Sequence, residues 1–277
     1  MSETAATIIQ AIERPPPPAR VWTGQRIAGH VLMAFWAAAG LGLVVFLVRA
    51  WNPDLFDRYA GNYASGLLIT IQLVGISLVL GALLSLPVAY ARASRSKWLG
   101  WPAYAYVYFF RGTPLLAQTF LIYYGLGSFR PQLEAIGLWT FFREAWYCGI
   151  LAFTLNTAAY QAEILRGAVQ SVPKGQWEGA ESLGLHRLVI FRKIILPQAL
   201  IVALRPYGNE IILMIKGSAI VAIITVYDLM GETRRAYSRS FDFQTYIWAA
   251  IIYLAIVETL RNIIDWIERR ITKHLKR

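Results

Sequence analysis

Residues 173–197 read PKGQWEGAESLGLHRLVIFRKIILP and separate two apolar segments. Four of these residues recur at spacings of three and four: Trp177, Ala180, Gly184 and Leu188. This spacing predicts that they share one face of a helix, on which small residues permit close approach of a neighbouring backbone. We expect Glu178 and Glu181 to lie near the start of that helix, where the helix dipole favours carboxylates. An amphipathic helix without an evident partner in its own chain predicts docking to another protein.

The composition is that of a membrane protein. Apolar residues make up 57% of the 277 residues, the mean hydropathy is +0.45, and 16% of the residues are charged, against roughly 25% in soluble domains. A soluble fold cannot hide so much apolar surface behind so few charges. The composition therefore predicts an all-α integral membrane protein and argues against a disordered chain, a disulfide scaffold or a typical cytosolic enzyme. The single cysteine excludes an internal disulfide, and the three widely spaced histidines indicate no metal site.

Six apolar segments are long enough to cross a hydrocarbon core of about 30 Å as helices. They cover residues 28–48, 67–91, 102–126, 145–169, 194–216 and 246–264, and the fifth can extend to residue 226. The third is interrupted by Arg111-Gly112-Thr113-Pro114. The sequence therefore predicts about six transmembrane helices.

Basic residues indicate which segments face the cytoplasm, because cytoplasmic loops are rich in Lys and Arg. The chain has 27 Lys and Arg against 16 Asp and Glu, a net charge of +11. With six crossings, the most basic segments fall on one side: residues 1–27, 92–97, 174–193 and 269–277. Both termini are then cytoplasmic. Residues 1–27 are interpreted as a cytoplasmic tail, in which the proline run Pro15–Pro18 favours an extended polyproline conformation. Arg234, Arg235 and Arg239 fall on the opposite side and weaken this pattern.

The stretch 173–197 resembles the cytoplasmic EAA loop of bacterial ABC-importer permeases. The matching residues are Glu178-Gly179-Ala180, Leu183-Gly184, Phe191, Ile194 and Leu196-Pro197. Only Gly179 departs from the family pattern, which has Ala there, and the small size is kept. By this resemblance, the ATPase-coupling loop contains Glu178, Gly179, Ala180, Leu183 and Gly184. Its helix is expected to sit in a groove on an ATPase subunit and to transmit the opening and closing of that subunit.

Two further motifs are similar to the polar amino acid branch of these permeases. They are Arg111-Gly112-Thr113-Pro114-Leu115-Leu116-Ala117-Gln118, and Leu155-Asn156-Thr157-Ala158-Ala159-Tyr160 continuing to Glu163-Ile164 and Arg166-Gly167. The resemblance covers the chain from about residue 60 onward and is closest to permeases for histidine, other basic amino acids and opines. It implies a five-helix ABC-importer permease (MetI-like) core plus one extra N-terminal helix.

This resemblance divides the chain into three parts. Residues 1–27 are a cytoplasmic Pro-rich tail, and residues 28–58 are the extra transmembrane helix with a periplasmic linker. Residues 59–277 are the ABC permease transmembrane domain, with the cytoplasmic coupling loop at 173–197.

The resemblance also implies partners. An ABC ATPase dimer binds from the cytoplasm, a second homologous permease subunit pairs in the membrane lipid, and a periplasmic solute-binding protein delivers the solute. The sequence contains no G-x-x-x-x-G-K-[ST] motif, so ATP and Mg²⁺ are expected on the ATPase subunits. We therefore expect no cofactor in this chain, no enzymatic activity of its own, no nucleic acid partner, and a place in the bacterial inner membrane.

Polar residues inside apolar spans are costly, so they predict function. Asn156, Tyr160 and Glu163 fall on one face of the fourth span, while Gln118 and Asn209 lie in the third and fifth. These five residues are the candidate translocation pathway. In this interpretation Glu163 attracts a cationic amino or guanidinium group, and the amides supply neutral hydrogen bonds.

A structural interpretation of the same residues stays open. Glu163 can pair with Arg166 one turn further on, or with Arg205 or Lys216 of the fifth span. Amides often join neighbouring spans. Arg111 precedes a helix break and is interpreted as a positioning residue.

Three functions remain in competition. The first is a transmembrane permease subunit of an ATP-driven ABC importer that moves polar amino acids, foremost basic ones or opine-like derivatives, into the cytoplasm by alternating access. The second is an ion-coupled secondary amino acid transporter, although such proteins are often built from repeats and the sequence shows no internal duplication. The third is a membrane scaffold that transports nothing. Co-purification with an ATPase distinguishes the first from the others.

Overall fold

A computed structural model describes residues 22–49 and 51–275, and all regular elements in these ranges are helices. Most of the predicted N-terminal tail, residues 1–21, lies outside the described residues. The first helix, α1 (Gly24–Arg49), has 26 residues and contains an 18-residue stretch with a mean hydropathy of 2.5. At 1.5 Å per residue it is about 39 Å long, enough to cross a bilayer.

Two long helices form the centre of the remaining chain. α2 (Pro53–Ala93) has 41 residues and begins well before the predicted span at residue 67. It runs alongside α7 (Ala145–Ser171). Gly81 of α2 lies so close to the Thr157 side chain of α7 that a Cβ would have no space. Small residues at such contacts let membrane helices approach closely.

The third predicted span is divided at its Gly-Thr-Pro sequence. α3 (Lys97–Gly112) ends there, and Thr113-Pro114 has extended backbone before α4 (Leu115–Phe120) begins. α4 continues as a π-helical turn, Leu121–Gly125. Proline disfavours helical conformation in the residue before it and cannot donate a backbone hydrogen bond, which explains the position of the break.

Short helices connect the long ones on both sides of α7. α5 (Arg130–Ala135) and α6 (Trp139–Phe142) precede it. α8 (Lys174–Ser182) and α9 (Arg187–Ile190) follow it and carry most of the predicted coupling loop. A π-helical turn, Phe191–Ile195, then leads into α10 (Leu196–Ser218).

The segment after α10 differs from a simple span followed by a loop. The chain continues as a 3₁₀ helix, Ala219–Ile224, and turns at Thr225, which has a left-handed φ of 67°. α11 (Leu229–Ser240) follows, capped by the Asp228 side chain, which accepts from Gly231 N at 2.8 Å. The three arginines that weakened the charge pattern lie on this helix. α12 (Gln244–Ile271) ends in a 3₁₀ turn, Thr272–Leu275.

The prediction of an all-α membrane fold is confirmed. By length and composition, the described residues contain fewer candidate crossings than the six predicted. Within the described residues, three helical stretches are long and apolar enough to cross a membrane: Gly24–Arg49, Asp57–Ala93 and Gln244–Ile271. A fourth qualifies if Arg187–Ile224 and Leu229–Ser240, which meet at a 50° bend, form one broken span. α7 does not qualify although it has 27 residues, because it carries buried polar side chains such as Thr154, Asn156 and Gln161.

The largest buried cluster lies between α2, α7 and the end of α10. Its fully buried members include Leu73, Phe153, Val221 and Ile224. A second cluster joins the first turns of α2 to α11 and α12 through Tyr63, Leu229 and Trp248. These contacts fix the helices that carry the polar residues described next.

Candidate functional site

The coupling-loop helix starts earlier than the sequence indicated. Pro173 is the residue before α8, and the helix runs from Lys174 to Ser182. Glu178 therefore lies at its middle and Glu181 near its end, with no acidic residue in the first turn. The prediction that both carboxylates lie near the helix start, stabilised by the dipole, is wrong.

Ala180 attaches α8 to the body of the protein. It is only 4% exposed and clusters with Ile190, Ile195 and Ala199. Trp177 is half-buried against the same cluster. By contrast, Gly179 is exposed, and a Cβ there would meet no atom within 4 Å. The small size of residue 179 is thus not required by contacts among the described residues.

Gly184 ends the loop helix instead of lying on its apolar face. Its φ is +71°, a left-handed conformation that favours glycine at the end of a helix. Leu188 belongs to the next helix, α9, and is exposed. The predicted shared face of Trp177, Ala180, Gly184 and Leu188 is therefore wrong for its last two members.

The loop carries several exposed apolar side chains. Leu183 and Leu188 are 77% and 66% exposed, and Leu185 and Val189 are also exposed. Glu178, on α8, is exposed as well. We call these five residues the coupling surface. Grouped exposed apolar side chains mark interaction sites.

An amide pair joins α7 to the break between α3 and α4. Asn156 Nδ2 donates to Gln118 Oε1 at 2.9 Å and to the Phe110 carbonyl at 3.0 Å. Gln118 Nε2 donates to the Phe110 carbonyl at 2.9 Å and to the Thr113 carbonyl at 3.1 Å. Both amides are buried. They satisfy backbone carbonyls that the proline leaves without helical partners.

Glu163 lies among arginines from three helices. Arg92 Nε donates to Glu163 Oε1 at 2.9 Å, and Arg166 Nη2 donates to Oε2 at 2.6 Å. Arg111 Nη1 is 3.9 Å from Oε2. Of the two interpretations left open, this geometry favours pairing, although with Arg92 in addition to Arg166 and not with the fifth span. Contact between Glu163 and a solute stays a prediction.

The other predicted pathway residues are not all brought together. Tyr160 lies one turn before Glu163, and its ring stacks beneath the Arg111 guanidinium at 5.2 Å. Asn209 is exposed on α10 and makes no side-chain hydrogen bond to the described residues. Its neighbour Arg205 pairs instead with Glu268 of α12 at 2.8 Å.

The sequence reasoning missed a buried polar network between α7 and α10. Thr157 Oγ1 donates to Glu210 Oε1 at 2.9 Å, and Tyr207 donates to Gln161 Oε1 at 2.7 Å. Gln161 Nε2 also donates to Thr157 Oγ1 at 3.1 Å. Buried hydrogen-bonded networks hold membrane helices together. The only signal of this network in the sequence was the carboxylate of Glu210 in the apolar segment 194–216.

No group of three or more His, Cys, Asp or Glu side chains in residues 22–49 and 51–275 could hold a metal ion. Cys148 is buried in the α7 core.

Residues 77–273 match the family of binding-protein-dependent transport system inner membrane components. This match covers more than two thirds of the 277 residues and includes both the amide pair and the coupling loop. The chain belongs to this family. It is an ABC-transporter permease, as the resemblance predicted.

Two characterised relatives have similar sequences to this permease. The nopaline transport system permease protein of Agrobacterium fabrum strain C58 is 42% identical over 75% of the chain and 86% of the relative. The histidine/lysine/arginine/ornithine transport system permease protein of Escherichia coli strain K12 is 36% identical over 84% of the chain and 98% of the relative.

A solved structure has the same fold. A crystal structure of an amino acid ABC transporter with histidines superposes with a TM-score of 0.71 and 34% sequence identity. The superposition covers 79% of this permease and 99% of the solved chain.

Proposed function

We propose that this permease is a transmembrane subunit of an ATP-driven importer that moves polar amino acids, foremost basic ones or opine-like derivatives, into the cytoplasm. The family membership and the names of the two relatives support this solute class. ATP and Mg²⁺ act on separate ATPase subunits, and this chain catalyses no reaction itself.

The observation that carries the proposal is the coupling surface. Its helix is attached to the membrane domain through Ala180, while Leu183 and Leu188 are exposed on the outside. An attached helix with an exposed apolar side is suited to transmitting a displacement from a partner to the membrane helices. We propose that an ABC ATPase dimer is that partner.

Further partners complete the proposed assembly. A second, homologous permease subunit forms the other half of the pathway, and a periplasmic solute-binding protein delivers the solute. The assembly lies in the bacterial inner membrane, surrounded by lipid, with both termini of this chain in the cytoplasm.

The proposed pathway follows the polar side of α7. Gln118, Asn156 and Tyr160 lie around the helix break. Glu163 is the charged residue of the proposed pathway, and Asn209 is exposed on α10. Alternating access opens this route first to one side of the membrane and then to the other. A break between α3 and α4 gives such movement a place to occur without disturbing a continuous helix.

The proposal is tested by reversing the charge of Glu178. In the complete importer we expect Glu178→Lys to abolish co-purification of the ATPase and ATP-driven uptake into liposomes. The reversed charge should prevent the coupling surface from docking in the groove of the ATPase subunit. Glu134→Lys, at another exposed carboxylate on α5, is the matched control and should leave both unchanged. Normal uptake by Glu178→Lys would contradict the coupling role. Uptake by the purified chain alone in an ion gradient would indicate a secondary transporter instead.

A further inference from the structure

A small cavity lies where α2, α3 and α7 meet. Its volume is about 270 Å³, and its lining includes Arg92, Tyr104, Tyr108, Arg111 and Glu163. It is adjacent to the proposed pathway, since Glu163 belongs to both and the Tyr160 ring lies beneath Arg111. The cavity is therefore lined by both charged and phenolic groups.

The charges around this cavity do not balance. Arg92, Arg111 and Arg166 approach a single carboxylate, Glu163. Three guanidinium groups against one carboxylate leave a surplus of two positive charges. Glu210 is the other carboxylate whose charge reaches Arg111. It is hydrogen-bonded to Thr157, and counting it still leaves three positive groups against two negative.

The surplus is concentrated on Arg111. Arg92 donates to Oε1 of Glu163 and Arg166 donates to both carboxylate oxygens, and the two arginine side chains are only 18% and 26% exposed. The Arg111 side chain is 44% exposed, and at 3.9 Å it is beyond hydrogen-bonding distance of Glu163. Its guanidinium makes no hydrogen bond to any residue in the described ranges. It is held over the Tyr160 ring, which fixes its position while leaving its donors available.

An arginine held in this way suits a carboxylate. The planar guanidinium can donate two parallel hydrogen bonds to the two oxygens, a geometry that gives both strength and specificity. A solute cation would instead meet the surplus positive charge, and Glu163 could turn to it only by giving up Arg92 or Arg166. The cavity thus attracts the acidic part of a solute.

We propose that this cavity binds a carboxylate of the transported solute through Arg111, and that it favours opines over simple basic amino acids. Opines carry an additional carboxylate on an N-linked carboxyalkyl group, so they bring more negative charge to the same basic side chain. The additional carboxylate offsets the surplus that a basic amino acid, with its net positive charge, would increase. This inference rests on the proposed transport function and names the solute class of its pathway.

The experiment measures equilibrium binding of radiolabelled octopine and arginine to the complete permease–ATPase complex in nanodiscs, without the binding protein. We expect octopine to bind about tenfold more tightly than arginine. Arg111→Gln should weaken octopine binding by about tenfold, equivalent to about 1.4 kcal/mol, and arginine binding by less than about twofold. Arg111→Lys should retain part of the octopine affinity, because a point charge replaces the planar fork.

A matched control is Arg130→Gln, which removes an exposed arginine on α5 far from this cavity in sequence and is expected to change neither affinity. Absence of octopine binding, equal affinities for the two probes, or an unchanged octopine affinity in Arg111→Gln would overturn the inference. ATP-driven uptake by the wild-type complex, supplied with its binding protein, is measured separately. If the wild-type complex takes up solute but Arg111→Gln leaves octopine binding unchanged, only the role of Arg111 is contradicted. If the wild-type complex takes up no solute, the proposed transport function is contradicted.

Discussion

Asn156 on α7 donates a hydrogen bond to Gln118 on α4 over 2.9 Å, and both side chains also donate to the carbonyl of Phe110. This pair holds the broken end of α3 against α7. A break in a membrane helix is tolerated only where nearby groups satisfy its free carbonyls. The amide pair is therefore as much a part of the fold as of the proposed pathway.

Gln118→Leu should destabilise the protein. The substitution removes the hydrogen bonds that the buried Gln118 side chain donates to the Phe110 and Thr113 carbonyls and accepts from Asn156, which costs roughly 1–3 kcal/mol. We expect a lower melting temperature of the reconstituted subunit. Gln132→Leu, at an exposed position of α5, is the control and should melt like the wild type. A Gln118→Leu protein of unchanged melting temperature would show that solvent or lipid replaces the amide.

Gly66→Ala should also destabilise the protein, because the added methyl group would clash with a neighbouring backbone. A Cβ at Gly66 would lie 2.9 Å from the Asp228 carbonyl oxygen and 3.1 Å from the Leu229 Cα, both backbone atoms that cannot rotate away. Overpacking of this kind costs about 1–3 kcal/mol. Gly75→Ala in the same helix meets nothing within 4 Å and should be neutral or stabilising by up to about 1 kcal/mol. Unfolding in a denaturing detergent series measures both, and equal behaviour of the two variants would contradict this account.

Glu163→Gln tests whether this carboxylate is structural. Without its charge, Arg92 and Arg166 lose their shared partner, and we expect a loss of roughly 2–3 kcal/mol in stability. Uptake should then fall alike for cationic and neutral solutes. Glu134→Gln removes an exposed pair with Arg130 and should cost less than about 1 kcal/mol. A stable Glu163→Gln protein with a selective loss of cationic uptake would instead support direct contact with the solute.

Two glycines of the coupling loop should respond oppositely to alanine. Gly184→Ala places a side chain at φ +71°, which costs about 1–2 kcal/mol. Gly179 lies inside α8 with open space around it, so Gly179→Ala should stabilise the helix by about 0.5–1 kcal/mol. Hydrogen exchange of the α8 amides measures both effects: faster exchange for Gly184→Ala and slower for Gly179→Ala. If both variants changed the exchange rate in the same direction, the left-handed backbone conformation of Gly184 would not be the feature that ends α8.

Features that are encoded locally could be predicted from the sequence. The Gly-Thr-Pro run predicted the interruption after Arg111, and proline chemistry explains why the structure breaks there. The EAA-like pattern located the loop with α8, although not the residue at which the helix begins. That residue depends on Pro173, which the periodicity of the apolar residues did not include.

Features that depend on which helices meet could not be predicted in the same way. Nothing in the sequence pairs Thr157 with Glu210 or Tyr207 with Gln161, because periodicity shows which residues share a face but not what that face contacts. Arg92 was assigned to a basic loop, yet the length of α2 brings it to Glu163. The arginines at 234, 235 and 239 disturbed the charge pattern because they belong to a separate helix, α11.

The methyl group of Ala180 has a mechanical consequence for the loop. Because this side chain is so short, α8 packs closely against the cluster of Ile190 and Ile195. Closely packed interiors transmit strain, so α8 can move little without moving that cluster. The π-helical turn Phe191–Ile195 connects the loop to α10, so we expect a displacement of the loop to reach that helix. In the proposed coupling role, the loop is expected to act as a rigid element that passes most of a displacement by the ATPase on to the membrane helices.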